Sequence, residues 1–143
     1  MAETPQPYPG LKQLQPLVGT WQVKGPEISG QVRFEWLAGG FFLLQHVDIT
    51  HAGRHITGLE VIGYPREFGA TEPGPELVSH WFGSAGETFT YVYENDAQTL
   101  TIWGGAKGSP AYYRGTWSAD GNVNSGAWVY PEGGYESTLT RIK

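Results

Sequence analysis

The chain has 143 residues, a net charge of −5 with histidine neutral, and no cysteine, which describes one domain without disulfides or thiolate metal sites. Its nine Lys and Arg residues are scattered singly, so no basic stripe or groove offers itself to a nucleic-acid backbone. Only 16% of the residues are charged, while there are 21 glycines, six tryptophans, eight tyrosines and six phenylalanines; this composition favours strands joined by frequent reversals.

Residues 1–9, MAETPQPYP, lack the basic and apolar regions of a signal peptide and read as a disordered, proline-rich tail ahead of a single domain over 10–143. No apolar run approaches the roughly 20 residues of a membrane span. The expectation is a soluble, cytoplasmic protein without membrane or nucleic-acid partners, either monomer or homodimer. Leu11, Leu14, Leu17 and Val18 recur at helical spacing around Pro16, predicting a short helix or 3₁₀ turn that lids one end of whatever follows.

Strand-like runs then alternate with reversals over 20–25, 31–37, 41–49, 54–63, 77–82, 88–94, 99–104, 111–117, 123–130 and 135–142. Reversals such as Ala38-Gly39-Gly40, His51-Ala52-Gly53 and Ala119-Asp120-Gly121 carry the residues that tight turns demand. The exception is Tyr64 to Glu76, a long Pro- and Gly-rich loop of the kind that serves as a functional lid or is merely mobile. Short connections make sequence neighbours spatial neighbours, so the predicted fold is all-β, an antiparallel up-and-down barrel of eight to ten strands with a short N-terminal lid helix. A barrel of this size holds its own side chains or one small ligand.

The segments LVGTW at 17–21, FEWLAGGFFLLQH at 34–46, LEVIGY at 59–64, LTIWGGAKGSPAYYRGTWSADG at 100–121 and GAWVYPEGGYESTLTR at 126–141 together resemble a lipocalin-like, calycin-type bacterial family known only as a domain of unknown function. The resemblance covers nearly the whole chain after the tail and implies a lipocalin- or fatty-acid-binding-protein-like barrel in a bacterial cytoplasm. It also implies that Gly19-Thr20-Trp21 and Arg141 seal one end, the guanidinium lying across the indole face as a cation–π contact. Gly-x-Trp recurs at Gly115-Thr116-Trp117 and Gly126-Ala127-Trp128, so the first copy is singled out by its place after the lid helix and its pairing with Arg141.

With Trp21 inward, alternation turns Val23 inward, and Tyr135, Ser137 and Leu139 with Arg141. In 31–37, Val32, Phe34 and Trp36 form the inward face. In 41–49 two faces compete, Phe42, Leu44, His46 and Asp48 against Phe41, Leu43, Gln45, Val47 and Ile49, and either one puts a polar group inside. His51 and His55 belong to a turn and read as solvated, whereas His46 and His80 are mid-strand among apolar neighbours. A buried histidine near Glu60 or Asp48 would make a general base with an orienting carboxylate. No ligand spacing supports a metal or a haem iron, and no cofactor is expected. Tyr112-x-Arg114 resembles the pair with which fatty-acid-binding barrels clamp a carboxylate, but with Tyr113 and Trp117 inward Arg114 faces water. Gly104 to Ser109 joins two strands and opens no helix, which excludes a phosphate loop.

The expected function is therefore binding of one small hydrophobic, planar or aromatic molecule inside the barrel. The candidate lining residues are Phe34, Trp36, His46, His80, Tyr93, Trp103, Tyr113 and Trp128. The alternative is a cofactor-independent cyclase or isomerase on a hydrophobic substrate, working mainly by positioning, with His46 and His80 as acid–base candidates and Glu60 as orienter.

Overall fold

A computed structural model describes residues 4–143. Ten antiparallel strands follow a single 3₁₀ helix, Pro9–Leu17: β1 Gly19–Lys24, β2 Ile28–Trp36, β3 Phe42–His51, β4 Arg54–Gly63, β5 Leu77–Gly83, β6 Thr88–Asn95, β7 Thr99–Gly104, β8 Tyr112–Trp117, β9 Val123–Tyr130 and β10 Gly133–Arg141. Each strand pairs with its sequence neighbours and β10 returns to β1, which closes the barrel. No helix among the described residues is long and apolar enough to cross a membrane.

The helix owes its type to its leucines. A 3₁₀ helix has three residues per turn, so side chains three apart eclipse one another. Leu11, Leu14 and Leu17 therefore project from one face, and all three are buried. Tyr8, just before the helix, packs edge-on against Phe41 and Tyr64, with ring centroids 5.2 and 6.0 Å away; the chain is thus anchored before Pro9, while residues 1–3 of the expected tail lie outside the described residues. Tyr64 opens the 64–76 loop, which follows β4 at the helix-capped end. That loop stands at the closed end of the barrel and not over its mouth.

Closure is built around Trp21. Its register partner across β1 and β10 is Arg141, whose guanidinium stands 4.2 Å above the indole centroid. The same guanidinium donates to the carbonyls of Val18 and Pro16, at 2.5 and 2.7 Å, and through Nε to Asn122 Oδ1 at 3.0 Å. Helix C-termini leave carbonyls without partners, and Arg141 satisfies two of them here. The Trp21 Nε1–H donates to Leu17 O at 2.8 Å, and Trp117 packs 5.8 Å from its ring. Gly19 has φ +134°, and a Cβ there would stand 2.6 Å from an Arg141 nitrogen, so the glycine of the motif is what lets the guanidinium close in.

Trp21 is fully buried. Replacing it with alanine removes both a large side chain and the surface on which Arg141 rests. Trp21→Ala is expected to lower unfolding stability by about 3–5 kcal/mol, measured by urea denaturation; a loss below about 1 kcal/mol would mean the seal is not part of the stabilising core.

Candidate functional site

Below the seal the barrel encloses a cavity of about 410 Å³, bounded by Leu17 at the helix end and reaching Arg54, Glu87 and Phe89 at the opposite end. That volume falls in the range of small-molecule pockets, about 300–1,000 Å³. Its wall is largely apolar: Val32, Val47, Ile49, Ile56, Leu100, Ile102 and Leu139 alternate with the aromatic rings of Phe34, Trp81, Tyr91, Tyr113 and Trp128. Phe89, at the mouth, is 53% exposed. Trp128 joins Tyr91 and Tyr113 into an aromatic run, with centroid separations of 5.9 and 5.7 Å.

The polar centre of this apolar cup is Glu60. Cross-strand partners share a face, and Glu60 lies opposite Gln45 on β3 and Trp81 on β5. Gln45 Nε2 donates to Glu60 Oε1, Tyr93 OH donates to the same oxygen at 2.7 Å, and Ser79 Oγ donates to Oε2 at 2.5 Å. The carboxyl is buried at 4% exposure. Burial pushes its pKa above the ordinary value, and the hydrogen bonds from Ser79, Tyr93 and Gln45 only partly oppose that rise. The phenol of Tyr91 is pushed up to about 12, first by burial and then by the neighbouring Glu60 charge, and Tyr93 is raised by the same two causes. Closer to the seal, Tyr113 OH donates to Asn124 Oδ1 at 2.6 Å. The Asn124 Nδ2 is buried with no partner among the described residues.

Phe34, Tyr93, Tyr113 and Trp128 line this cavity together with Glu60; the other expected residues do not. His46 is on the outer face of β3, its Nε2 2.6 Å from Glu35 Oε2, and Arg33 holds the same oxygen at 2.8 Å. Hydrogen bonds from His46 and then Arg33 keep the Glu35 carboxyl below its usual range. The register explains the outcome: Val47 faces Val32 and Gln45 faces Phe34, so the inward face of β2 carries Leu43, Gln45, Val47 and Ile49 inward and turns His46 out. His80 is exposed on the outer face of β5 between buried Ser79 and Trp81. Neither His46 nor His80 therefore approaches Glu60, and the expected pairing of either with that carboxyl does not form. Trp103 is likewise outside, donating to Glu94 Oε1 at 2.6 Å beneath the Arg114 guanidinium, 5.5 Å from its centroid. Trp36 has the inward parity, but β2 ends there under the helix, where its Nε1–H meets Gln15 Oε1 at 2.9 Å.

Gln45, Ser79, Trp81 and Tyr91 complete the site. The apolar pair Leu77 and Trp81 is the sequence signal for the correct face of β5, but Val78 and Phe82 offset it on the other. Gly58 makes room for Trp81, since a Cβ there would stand 2.5 Å from the indole edge. Among the described residues no cluster of three or more His, Asp or Glu side chains is arranged to hold a metal ion. No protein-family model matches the chain, and comparison with curated proteins finds no match, so its function is read from the site itself.

The raised pKa of Glu60 has a consequence for stability. Between the ordinary carboxyl value of 4.5 and its higher folded value, the folded protein holds a proton that the unfolded chain has released. Stability through this group is then fully present below 4.5 and declines as pH rises through the window. Glu60→Gln removes the titration, so urea denaturation across pH 4–8 should show the wild type losing ground to the variant as pH rises. Parallel profiles would contradict a raised pKa.

Proposed function

We propose that this protein is a cytoplasmic, lipocalin-like receptor for one small and mainly apolar molecule, held in the barrel against the Tyr91–Trp128–Tyr113 rings. The observation that carries this reading is the cavity of about 410 Å³, open at the Arg54–Glu87 end and closed at the other by the helix and Trp21. Pockets of this kind combine apolar walls with a few convergent polar groups, and Gln45, Ser79, Tyr93 and Glu60 converge here. Side-chain rings on facing strands favour a planar ligand, because offset and edge-to-face aromatic contacts add to the energy of burial.

A second reading is favoured by Glu60 itself. A buried carboxyl with a raised pKa, facing an apolar chamber, has the properties of a general acid or base. In a cyclase or isomerase the cavity would fold the substrate and Glu60 would move the proton, without help from either histidine. The two readings part on turnover: catalysis requires product formation from an apolar substrate with a pH–rate profile that Glu60→Gln abolishes.

Trp81 and Trp128 line the cavity, so a neutral apolar fluorescent probe such as N-phenyl-1-naphthylamine should quench tryptophan emission saturably. Val47→Trp, which fills the chamber from one wall, should weaken that binding at least about tenfold with the far-ultraviolet circular dichroism unchanged. His46→Ala and His80→Ala should leave it within about twofold, since both side chains lie outside. Equal affinity in Val47→Trp would place the probe elsewhere and sink the receptor reading.

A further inference from the structure

Glu60 is an acid held in an apolar chamber without a base. Around it β3 contributes Gln45 and Val47, β5 contributes Ser79 and Trp81, and β7 contributes Leu100 and Ile102, all of them neutral. The titratable groups facing it are the phenols Tyr91 and Tyr93 of β6, both raised and therefore uncharged at neutral pH. The candidate cations are committed or remote. Arg54 is on the same inward face of β4 six residues away at the mouth, roughly 20 Å along the strand. Arg141 is held by three acceptors at the seal, and His46 faces outward onto Glu35. Among the described residues, none brings a positive charge to this carboxyl.

The donors nevertheless treat Glu60 as an acceptor. Gln45 and Tyr93 both address Oε1, and Ser79 alone addresses Oε2. A carboxylate offers about four acceptor positions, so Oε2 retains capacity for a further donor, and Glu60 lies on the cavity surface. Buried charges are paired or they neutralise. A neutral donor arriving in the chamber would add a hydrogen bond without supplying the missing charge, whereas an ammonium supplies both.

We propose that the molecule taken into this cavity is a protonated amine on an apolar, aromatic-sized body, its ammonium lying against the Glu60 carboxylate and its body against Tyr91 and Trp128. This inference rests on the receptor reading above and names its ligand class. Where Glu60 is held as the acid, binding of an alkylammonium releases the carboxyl proton to solvent and leaves a carboxylate–ammonium pair, with no other bond changed. The aromatic run at Tyr91 and Trp128 adds a second preference for a cation, through the negative faces of its rings. The polarity is opposite to that of a barrel built to hold a fatty acid, where an inward arginine meets a carboxylate.

Four probes of one size separate the possibilities: 1-naphthylmethylamine, 1-naphthalenemethanol, 1-ethylnaphthalene and 1-naphthoic acid, titrated by tryptophan quenching at pH 7. In the wild type the amine is expected to bind at least about tenfold more tightly than the alcohol or the hydrocarbon, with the acid weakest. In Glu60→Gln the amine should fall to within about threefold of the neutral probes, which keep their affinity. Should that variant fail to fold, Glu60→Leu, similar in size and without a polar end, serves in its place. If the alcohol or the acid binds the wild type as tightly as the amine, or the variant keeps the amine preference, this inference is overturned while the receptor reading stands. If none of the four binds, the receptor reading falls and takes the inference with it.

Discussion

A barrel closed by hydrogen bonds still has two open ends, and much of the organisation of this protein follows from how one of them is stopped. The Arg141 guanidinium is placed by the β1–β10 register directly over Trp21. From there it reaches the last carbonyls of the 3₁₀ helix. One side chain thereby joins the first strand, the last strand and the lid. Arginine suits the position because its planar fork can stack on a ring and donate in several directions at once. Cation–π and charge-assisted contacts of this kind gain strength when desolvated, and the fully buried indole excludes water from one side of the guanidinium.

The chamber inherits its character from that seal. With the helix end stopped, the cavity reaches the surface at the Arg54–Glu87 end, and polarity is graded along the axis. Charged side chains stand at the mouth, apolar and aromatic walls follow, and the Glu60 network lies deeper. Burying a carboxyl in such a wall opposes folding, and the donors Gln45, Ser79 and Tyr93 offset only part of that cost. Packing alone does not call for an acid here, since apolar side chains of similar size at Glu60 and at its donors Gln45, Ser79 and Tyr93 would leave no polar group to satisfy. The arrangement makes sense as a site whose electrostatic balance is completed from outside.

Much of the fold was legible in the sequence because strands and turns are written in local chemistry. Every one of the ten runs corresponds to a strand, and the period-three leucines mark the helix. The site was legible only in part. Side-chain direction in a strand can be read when one face is plainly apolar, as in Val32, Phe34 and Trp36. It fails where both faces are apolar: Leu59 and Val61 face outward beside the inward Ile62, and Val78 and Phe82 compete with Leu77 and Trp81. In β3 the answer depended on the register across the 37–41 turn, which sets Leu43 opposite Trp36; a shift of one residue reverses every side chain. The expectation of an inward His46, His80 and Trp103 fails for this reason; on the outer wall His46 and Trp103 instead bond diagonally to Glu35 and Glu94 of the neighbouring strands.

The three Gly-x-Trp copies show why a local motif did not by itself assign a role. All three tryptophans point inward, but at different depths and from strands running in opposite directions. Trp21 is the seal; Trp117, from the strand that rises toward it, backs the same ring at 5.8 Å. Trp128 runs the other way along β9 and reaches the chamber beside Tyr91 and Tyr113. Gly115 and Gly126 face each other across β8 and β9. A Cβ on Gly115 would strike the Tyr113 hydroxyl and Asn124 Oδ1, so this glycine keeps open the space that the Tyr113–Asn124 hydrogen bond crosses. The repeated pattern is thus a packing habit of paired strands, and position along the barrel axis converts it into closure in one case and a cavity-facing wall in another.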